Sequence, residues 1–357
     1  MSSSQASLQT DLVSQELREL QLKLNQAQLP PDLLHKASVY LQRVQRMLNS
    51  NNYSQEYDRL AHYIDWIVSL PWNRYSPENI DLVKAQKILD TTHYGMQEPK
   101  DRILEYLATL KLRRQQNPQA LVKPPAIFLV GLVGTGKTTF AYSIAQATGR
   151  AFVRIPFGGL GSARDLRGRS RLFPEAEPGA IVKALRDASF NNPVILLDEI
   201  DRVSAQQRAD IMGVLVELLD PTQNHRFLDH YIDYPLDLSH VLFIATANNT
   251  AHVATAVLDR LEIIQMPSYT DEEKIHIGRY YLLPKILRRN GLTSEQLQFS
   301  PDVWPLIVRP LGFDAGIRTL ERTLEGVARK VAREIVEGKV KSVIVDRSNY
   351  QNYITTF

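Results

Sequence analysis

The stretch Ala126–Thr139, AIFLVGLVGTGKTT, constrains this chain more than any other. Its centre, Gly131 followed by four residues and then Gly136-Lys137-Thr138, is a complete phosphate-loop pattern. The apolar run Ala126–Val130 predicts a buried parallel strand, and Thr138–Ala147 predicts the helix after it. Glycines let the backbone curl so that the N–H groups of Gly134, Thr135, Gly136, Lys137, Thr138 and Thr139 can converge on phosphate oxygens. The helix N-terminus adds a field that favours anions. Lys137 would reach the β/γ-phosphates of ATP or the β-phosphate of ADP, and the Thr138 hydroxyl suits Mg²⁺. A ligand-free glycine turn has the same local pattern. An acidic strand downstream weighs against that reading.

That strand is Val194–Leu197, followed by Asp198-Glu199, a Walker B pattern. Asp198 would hold Mg²⁺, directly or through water, and Glu199 would act as general base on the attacking water. Asn248 follows the run Val241–Thr246, at the end of a strand expected between the two Walker strands. It is a candidate to orient the water, or a plain turn-former. Arg260, in Leu258-Asp259-Arg260, is either an arginine finger supplied to a neighbouring subunit or an ordinary surface arginine. Arg318 opens the last long helical pattern and carries the same two readings.

The 357 residues allow two or three domains, and the 44% hydrophobic fraction allows a proper core. There is no cysteine, which excludes disulfides and cysteine-based zinc sites and fits a reducing cytoplasm. The apolar runs are strand-sized, so no membrane span is expected, and the N-terminus lacks signal-peptide features. A net charge of +3 with interspersed signs gives no argument for nucleic acid. Helical patterns at Leu12–Leu29, Asp32–Leu48 and Ser54–Leu70 are divided by Pro30-Pro31, the turn Ser50–Tyr53 and Pro71. From Ala126 to Met266 strand and helix patterns alternate, which means α/β with a parallel sheet. After Thr270 the pattern is helical, with a short strand expected at Val340–Val345. The expected division is a disordered tail at 1–10, a three-helix module at 11–75, an α/β P-loop domain at 76–268 and a helical lid with a terminal strand at 269–357. A packing or tethering role is the plainer reading of the module.

From about Leu12 onward the chain resembles the ATPase portion of the Lon protease family, within the AAA+ class. The resemblance rests on Tyr63-Ile-Asp-Trp66, Leu70-Pro-Trp-Asn73, Ile88–Gly95 (ILDTTHYG), Lys100–Leu107, Leu197-Asp-Glu-Ile-Asp201, Leu219–Asn224, Phe227–Tyr231, Leu258-Asp-Arg260 and Ala315–Arg322. It implies that Asn248 is sensor 1, Arg260 the arginine finger and Arg318 sensor 2. It implies that His93, Tyr94, Gly95 and Met96 lie at the adenine pocket. It further implies a homo-oligomeric ring, usually a hexamer, that threads unfolded or misfolded protein in protein quality control. The loop Arg171–Gly179 matches the family's pore loop, with Phe173 as the gripping aromatic.

The chain also departs from the family. Leu132-Val133 stand where two prolines are usual, and nucleotide binding should persist. Pro174, with Glu175 and Glu177 nearby, stiffens the pore loop, and Ser204–Asp210, the second pore loop, carries no aromatic. The family's Ser–Lys peptidase motif does not occur, so the chain is expected to hydrolyse ATP and not peptide bonds. It is expected to be either a stand-alone ATPase, with a separate peptidase as a conceivable partner, or an excised fragment of a full protease. A nucleotide-switched scaffold that does not thread substrate is the rival function, and DNA-linked remodelling a third.

Overall fold

The computed structural model describes residues 3–48, 55–77, 79–116, 125–309 and 316–354. The expected turn at Ser50–Tyr53, most of the connector before Ala126, and Asp314-Ala315 ahead of Arg318 lie outside the described residues.

Three helices, α1 (Ser3–Gln26), α2 (Pro31–Leu48) and α3 (Gln55–Ser69), form the N-terminal module. Apolar side chains from all three helices pack inward, among them Leu24, Leu33, Leu60, Tyr63 and Ile67. Helix α1 begins at Ser3, inside the stretch 1–10 expected as a tail. Its polar opening contains no glycine or proline, and so continues the helix that the leucine pattern further on specifies.

Helices α4 (Leu82–Thr92) and α5 (Gln97–Gln116) lead to β1 (Ala126–Val130). The Asp81 carboxylate caps α4 by accepting from the Val83 and Lys84 N–H groups. Then come α6 (Lys137–Thr148), β2 (Phe152–Pro156), α7 (Arg164–Arg167), α8 (Ala180–Ala188), β3 (Val194–Asp198), α9 (Arg208–Leu219), β4 (Phe227–Asp229), β5 (Tyr234–Leu236), β6 (Leu242–Ala247), α10 (Thr255–Leu258) and β7 (Leu261–Gln265). Five of these strands form one parallel sheet in the order β2-β3-β6-β1-β7. β6 therefore lies between the two Walker strands, as the sequence reading required for Asn248. β4 and β5 pair as a separate small hairpin.

The lid is α11 (Asp271–Ile277), α12 (Leu283–Arg289), β8 (Leu297–Phe299), α13 (Trp304–Val308), α14 (Arg318–Val336), β9 (Val343–Val345) and α15 (Tyr350–Tyr353). A Thr270–Glu273 capping box starts α11, and a π-helical turn, Gly278–Leu282, joins it to α12.

The sheet divides the interior into two cores. The side chains of Phe128, Ile195, Leu197 and Phe243 join α8, α9 and the three-helix module. Their strand neighbours Ile127, Leu129, Val194, Leu196 and Ile244 join α4, α5, α6 and the lid. Successive strand residues point to opposite faces, so near-continuous apolar strands supply both cores. All five residues of β1 and of β3 are buried.

Candidate functional site

The loop between β1 and α6 is shaped by glycine. Gly136 has φ +93° and Gly134 φ +83°, backbone angles that side chains rarely adopt. A Cβ on Gly136 would lie 3.1 Å from the His93 ring. Thr135 is fully buried, and its hydroxyl donates to the Leu132 carbonyl at 2.9 Å. That residue braces the loop, which leaves its N–H and not its side chain for a ligand. Thr138 and Thr139 are exposed at the first turn of α6. Leu132 and Val133 are exposed on the outer turn.

Lys137 is buried, and its ammonium donates to the carbonyls of Gly131 (2.6 Å) and Leu132 (3.0 Å) and to Asn248 Oδ1 (3.1 Å). Burial pushes its pKa below the usual lysine value, opposed by the carboxylates of Asp201, Glu199 and Asp198 and assisted by Arg318. These bonds pair the ammonium with neutral oxygens, so a phosphate, whose oxygens carry full negative charge, is the stronger acceptor for it.

The acidic strand end is held by residues with no motif of their own. Thr246 on β6 is fully buried, donates to Asp198 Oδ1 at 2.5 Å and accepts from the Glu199 N–H at 2.8 Å. Glu199 takes a left-handed conformation, φ +58°, and its carboxylate meets Arg202 at 3.2 Å. Arg154 on β2 reaches the other Asp198 oxygen at 2.7 Å. Asp201 accepts from the Asn248 N–H through Oδ2 at 3.0 Å, while its buried Oδ1 has no hydrogen-bond partner. Thr246, Arg154 and Asp201 are the residues sequence reasoning missed. Asp201 does stand inside the Leu197–Asp201 stretch and Thr246 at the end of the Val241–Thr246 run, but neither position marks a role.

His93 is buried on the other side of the loop. Its Nδ1 lies 2.9 Å from Thr92 Oγ1, its Nε2 3.4 Å from the Gly136 carbonyl, and its ring 3.8 Å from that of Phe140. Burial pushes its pKa down to about 4, with Lys100 adding to the drop and the Gly136 carbonyl opposing it. Tyr94 stacks on His276 of α11 at 4.0 Å, and a Cβ on Gly95 would strike Glu273. Met96 is buried with φ +53°. His93–Met96 thus forms a junction between P-loop and lid.

The lid also touches the loop directly. The Ile317 N–H donates to the Gly134 carbonyl at 3.3 Å. A Cβ on Gly316 would lie 2.3–2.5 Å from Gly134 backbone atoms. Arg318, the next residue but one, is exposed at the start of α14.

Two sequence candidates lie apart from this cluster. Arg260 is bonded to Asp220 Oδ2 through Nε (3.2 Å) and a terminal nitrogen (3.1 Å), and to the Ala256 carbonyl at 2.6 Å. The Asp220 carboxyl is held well below the usual range, chiefly by hydrogen bonds from Thr222, with Gln223 and Arg260 adding to it. Phe173 sits half-exposed in a turn, with the Arg169 guanidinium 5.1 Å from its ring centre. The stems of that turn are tied by the Arg169 N–H to the Glu177 carbonyl at 3.0 Å. The Gly179 N–H anchors them further on the buried Asp229 carboxylate at 2.8 Å.

These residues fit a phosphate chain with a divalent cation. The cradle excludes side chains at Gly136, the Thr138 hydroxyl is accessible, Asp198 is a buried carboxylate, and Asp201 keeps an unpaired oxygen beside them.

Residues 127–269 match the ATPase family associated with various cellular activities (AAA), and residues 288–343 match the Lon protease AAA+ ATPase lid domain. The chain is 42% identical to the Lon protease of Dictyoglomus thermophilum over 340 residues, covering 95% of this chain and 42% of that protein. It is 40% identical to Lon protease 2 of Thermus thermophilus over 346 residues, covering 95% of this chain and 43% of that one. Against the Lon protease of Geobacter metallireducens the identity is 39% over 346 residues, covering 97% and 41%. The chain thus spans about two fifths of the length of the curated relatives it matches.

Proposed function

This chain belongs to the Lon family, to whose ATPase portion it corresponds, and on that premise we propose that it is an ATP-driven polypeptide translocase working as a homo-oligomeric ring. The observation that carries the reading is a pair of hydrogen-bonded sets at the ends of β3 and β6, one joining Lys137 to Asn248 and Asn248 to Asp201, the other joining Asp198 and Glu199 to Thr246. An ATPase needs an anion clamp, a metal carboxylate, a general base and a water-orienting group together, and each type is present there.

Thr138 and Asp198 would hold Mg²⁺, which supplies charge neutralisation on the phosphates. Glu199 accepts a proton from the water whose oxygen bonds to the γ-phosphorus as the bond from that phosphorus to the β–γ bridging oxygen breaks and ADP leaves, and Asn248 orients that water. Lys137 and Arg318 neutralise charge on the phosphoryl oxygens. Arg260 does the same from a neighbouring subunit, which makes hydrolysis a property of the interface and calls for a neighbour at each site, with a hexamer the reading favoured by the family. His93–Met96 would border the adenine. Phe173 grips the threaded chain, exposed on a turn whose stems are pinned. Work driven by ATP fits the cytoplasm, where the nucleotide is supplied. Among the described residues no helix is long and apolar enough to cross a membrane.

The test is steady-state ATP hydrolysis with and without an unfolded polypeptide, on wild type and Phe173→Ala. Stimulation in the wild type that is lost in the variant supports threading. Hydrolysis indifferent to polypeptide in both would favour a nucleotide-switched scaffold.

A further inference from the structure

Between the three-helix module and the loop carrying Phe173 lies a cavity of about 1090 Å³, separate from the nucleotide site. Its walls are α2 and α3 on one side, and Ser170–Leu172 with the β4–β5 hairpin on the other. Lys36, Arg43, Arg46, Arg59 and Arg171 line it. Asp233 is the one carboxylate among the described residues of its wall, and it is engaged by Lys36 at 2.5 Å and by Arg171 at 3.9 Å. A concave, low-dielectric wall concentrates the field of such a cluster, so this is a positive focus on a chain whose net charge is only +3.

The lining is not purely ionic. Val39 and Leu172 present aliphatic surface to it, and Leu172 is 87% exposed. The volume lies at the upper end of the roughly 300–1,000 Å³ usual for ligand sites, room for a short length of chain where one small anion would leave most of it unfilled. Tyr63 offers little to a nucleobase, since the Arg171 guanidinium already sits 3.9 Å from its ring centre. Arg171 and Leu172 immediately precede Phe173 in one turn. Consecutive Cα atoms are about 3.8 Å apart, so an occupant touching Arg171 is within reach of the gripping aromatic.

From this juxtaposition we infer that the cavity is a receiving site for acidic polypeptide segments, in which Asp or Glu is interspersed with aliphatic residues, on their way to Phe173. The inference rests on the translocase reading and adds a substrate class to it. Cations accept the carboxylates, while Val39 and Leu172 accept the aliphatic side chains between them. Charge complementarity of this kind governs selection and capture rate more than total affinity.

Two fluorescein-labelled unstructured peptides test it, one repeating Glu-Val-Ser and the other Gln-Val-Ser, with anisotropy read on the full chain without nucleotide. The Glu peptide should bind about tenfold more tightly at low salt, and the gap should shrink at high salt as screening sets in. Arg43→Glu lies on α2, outside the nucleotide machinery. It should remove most of the gap while leaving Gln-peptide binding and peptide-free ATP hydrolysis unchanged. Arg43→Gln should do the same by a smaller factor. Equal affinity for the two peptides, or an Arg43→Glu variant that keeps the gap, overturns the inference. So does tighter binding of single-stranded DNA or inorganic polyphosphate that Arg43→Glu abolishes, which would assign the cavity to a phosphate polyanion. Failure of the translocase reading appears separately, as ATP hydrolysis indifferent to a peptide that nevertheless binds.

Discussion

His93 is a neutral imidazole wedged between the Gly136 carbonyl and Phe140, and its protonation would put an uncompensated charge under the phosphate loop. Its pKa is about 4 in the folded chain against an ordinary 6.5. Between those values the unfolded chain binds a proton that the folded chain refuses. This stabilising contribution is therefore complete above about pH 6.5 and falls away as pH drops toward 4, by roughly 3 kcal/mol in all. Urea midpoints measured across that range should fall for the wild type and fall less steeply for His93→Gln. Parallel pH profiles would count against the buried neutral ring. Lys137, Asp198, Glu199 and Asn248 were legible in the sequence because each sits at a fixed distance from a strand or helix end whose chemistry is demanding. Thr246 and Arg154 were not, since their partners are set by the parallel register of β2, β3 and β6, and no local pattern records which strand lies beside which.

The lid meets the phosphate loop through Gly316 packed on Gly134, with no room for a methyl group. Gly316→Ala should lift the start of α14 and draw Arg318 away from the loop. We expect a fall of about tenfold in nucleotide affinity, the scale of one lost charge-assisted contact, with the helical content of the lid unchanged. A fluorescent-nucleotide titration with far-UV circular dichroism reads both, and unaltered affinity would show that the contact is incidental. The long helices and the five sheet strands were legible from their apolar periods. The β4–β5 hairpin, β8 and α15 were not. Elements of three or four residues carry too little periodicity, and pairing across the fold creates them: β8 only exists against β9. The start of α1 at Ser3 carries no local signal of its own, because a polar sequence free of helix breakers reads alike as a tail or as the first turns of a helix.

For the assembled molecule the decisive question is whether Arg260 serves its own site or a neighbour's. Within the chain its guanidinium is held by Asp220 and the Ala256 carbonyl, and it is Arg318 whose field adds to the burial that lowers the Lys137 pKa. Glu199→Gln and Arg260→Ala subunits should each be inactive alone, with nucleotide binding retained. On the proposed ring assembly, mixtures of the two should regain part of the hydrolysis, at interfaces that pair an intact Glu199 with an intact Arg260. No recovery in mixtures verified to contain both subunits would place Arg260 outside the transferred role. The five-stranded sheet has a consequence at this scale too. Phe128 and Leu129 are neighbours in one strand, yet the first belongs to the core beneath the module and the Phe173 loop, the second to the core beneath the lid. Odd and even positions of β1 are thus addresses in two different halves of the machine. Mild truncations along that strand, such as Phe128→Leu and Leu129→Val, should sort by parity into those that weaken polypeptide coupling and those that weaken nucleotide binding. A mutational scan of five consecutive residues would then read as an alternating signal, two phenotypes interleaved along a single stretch of chain.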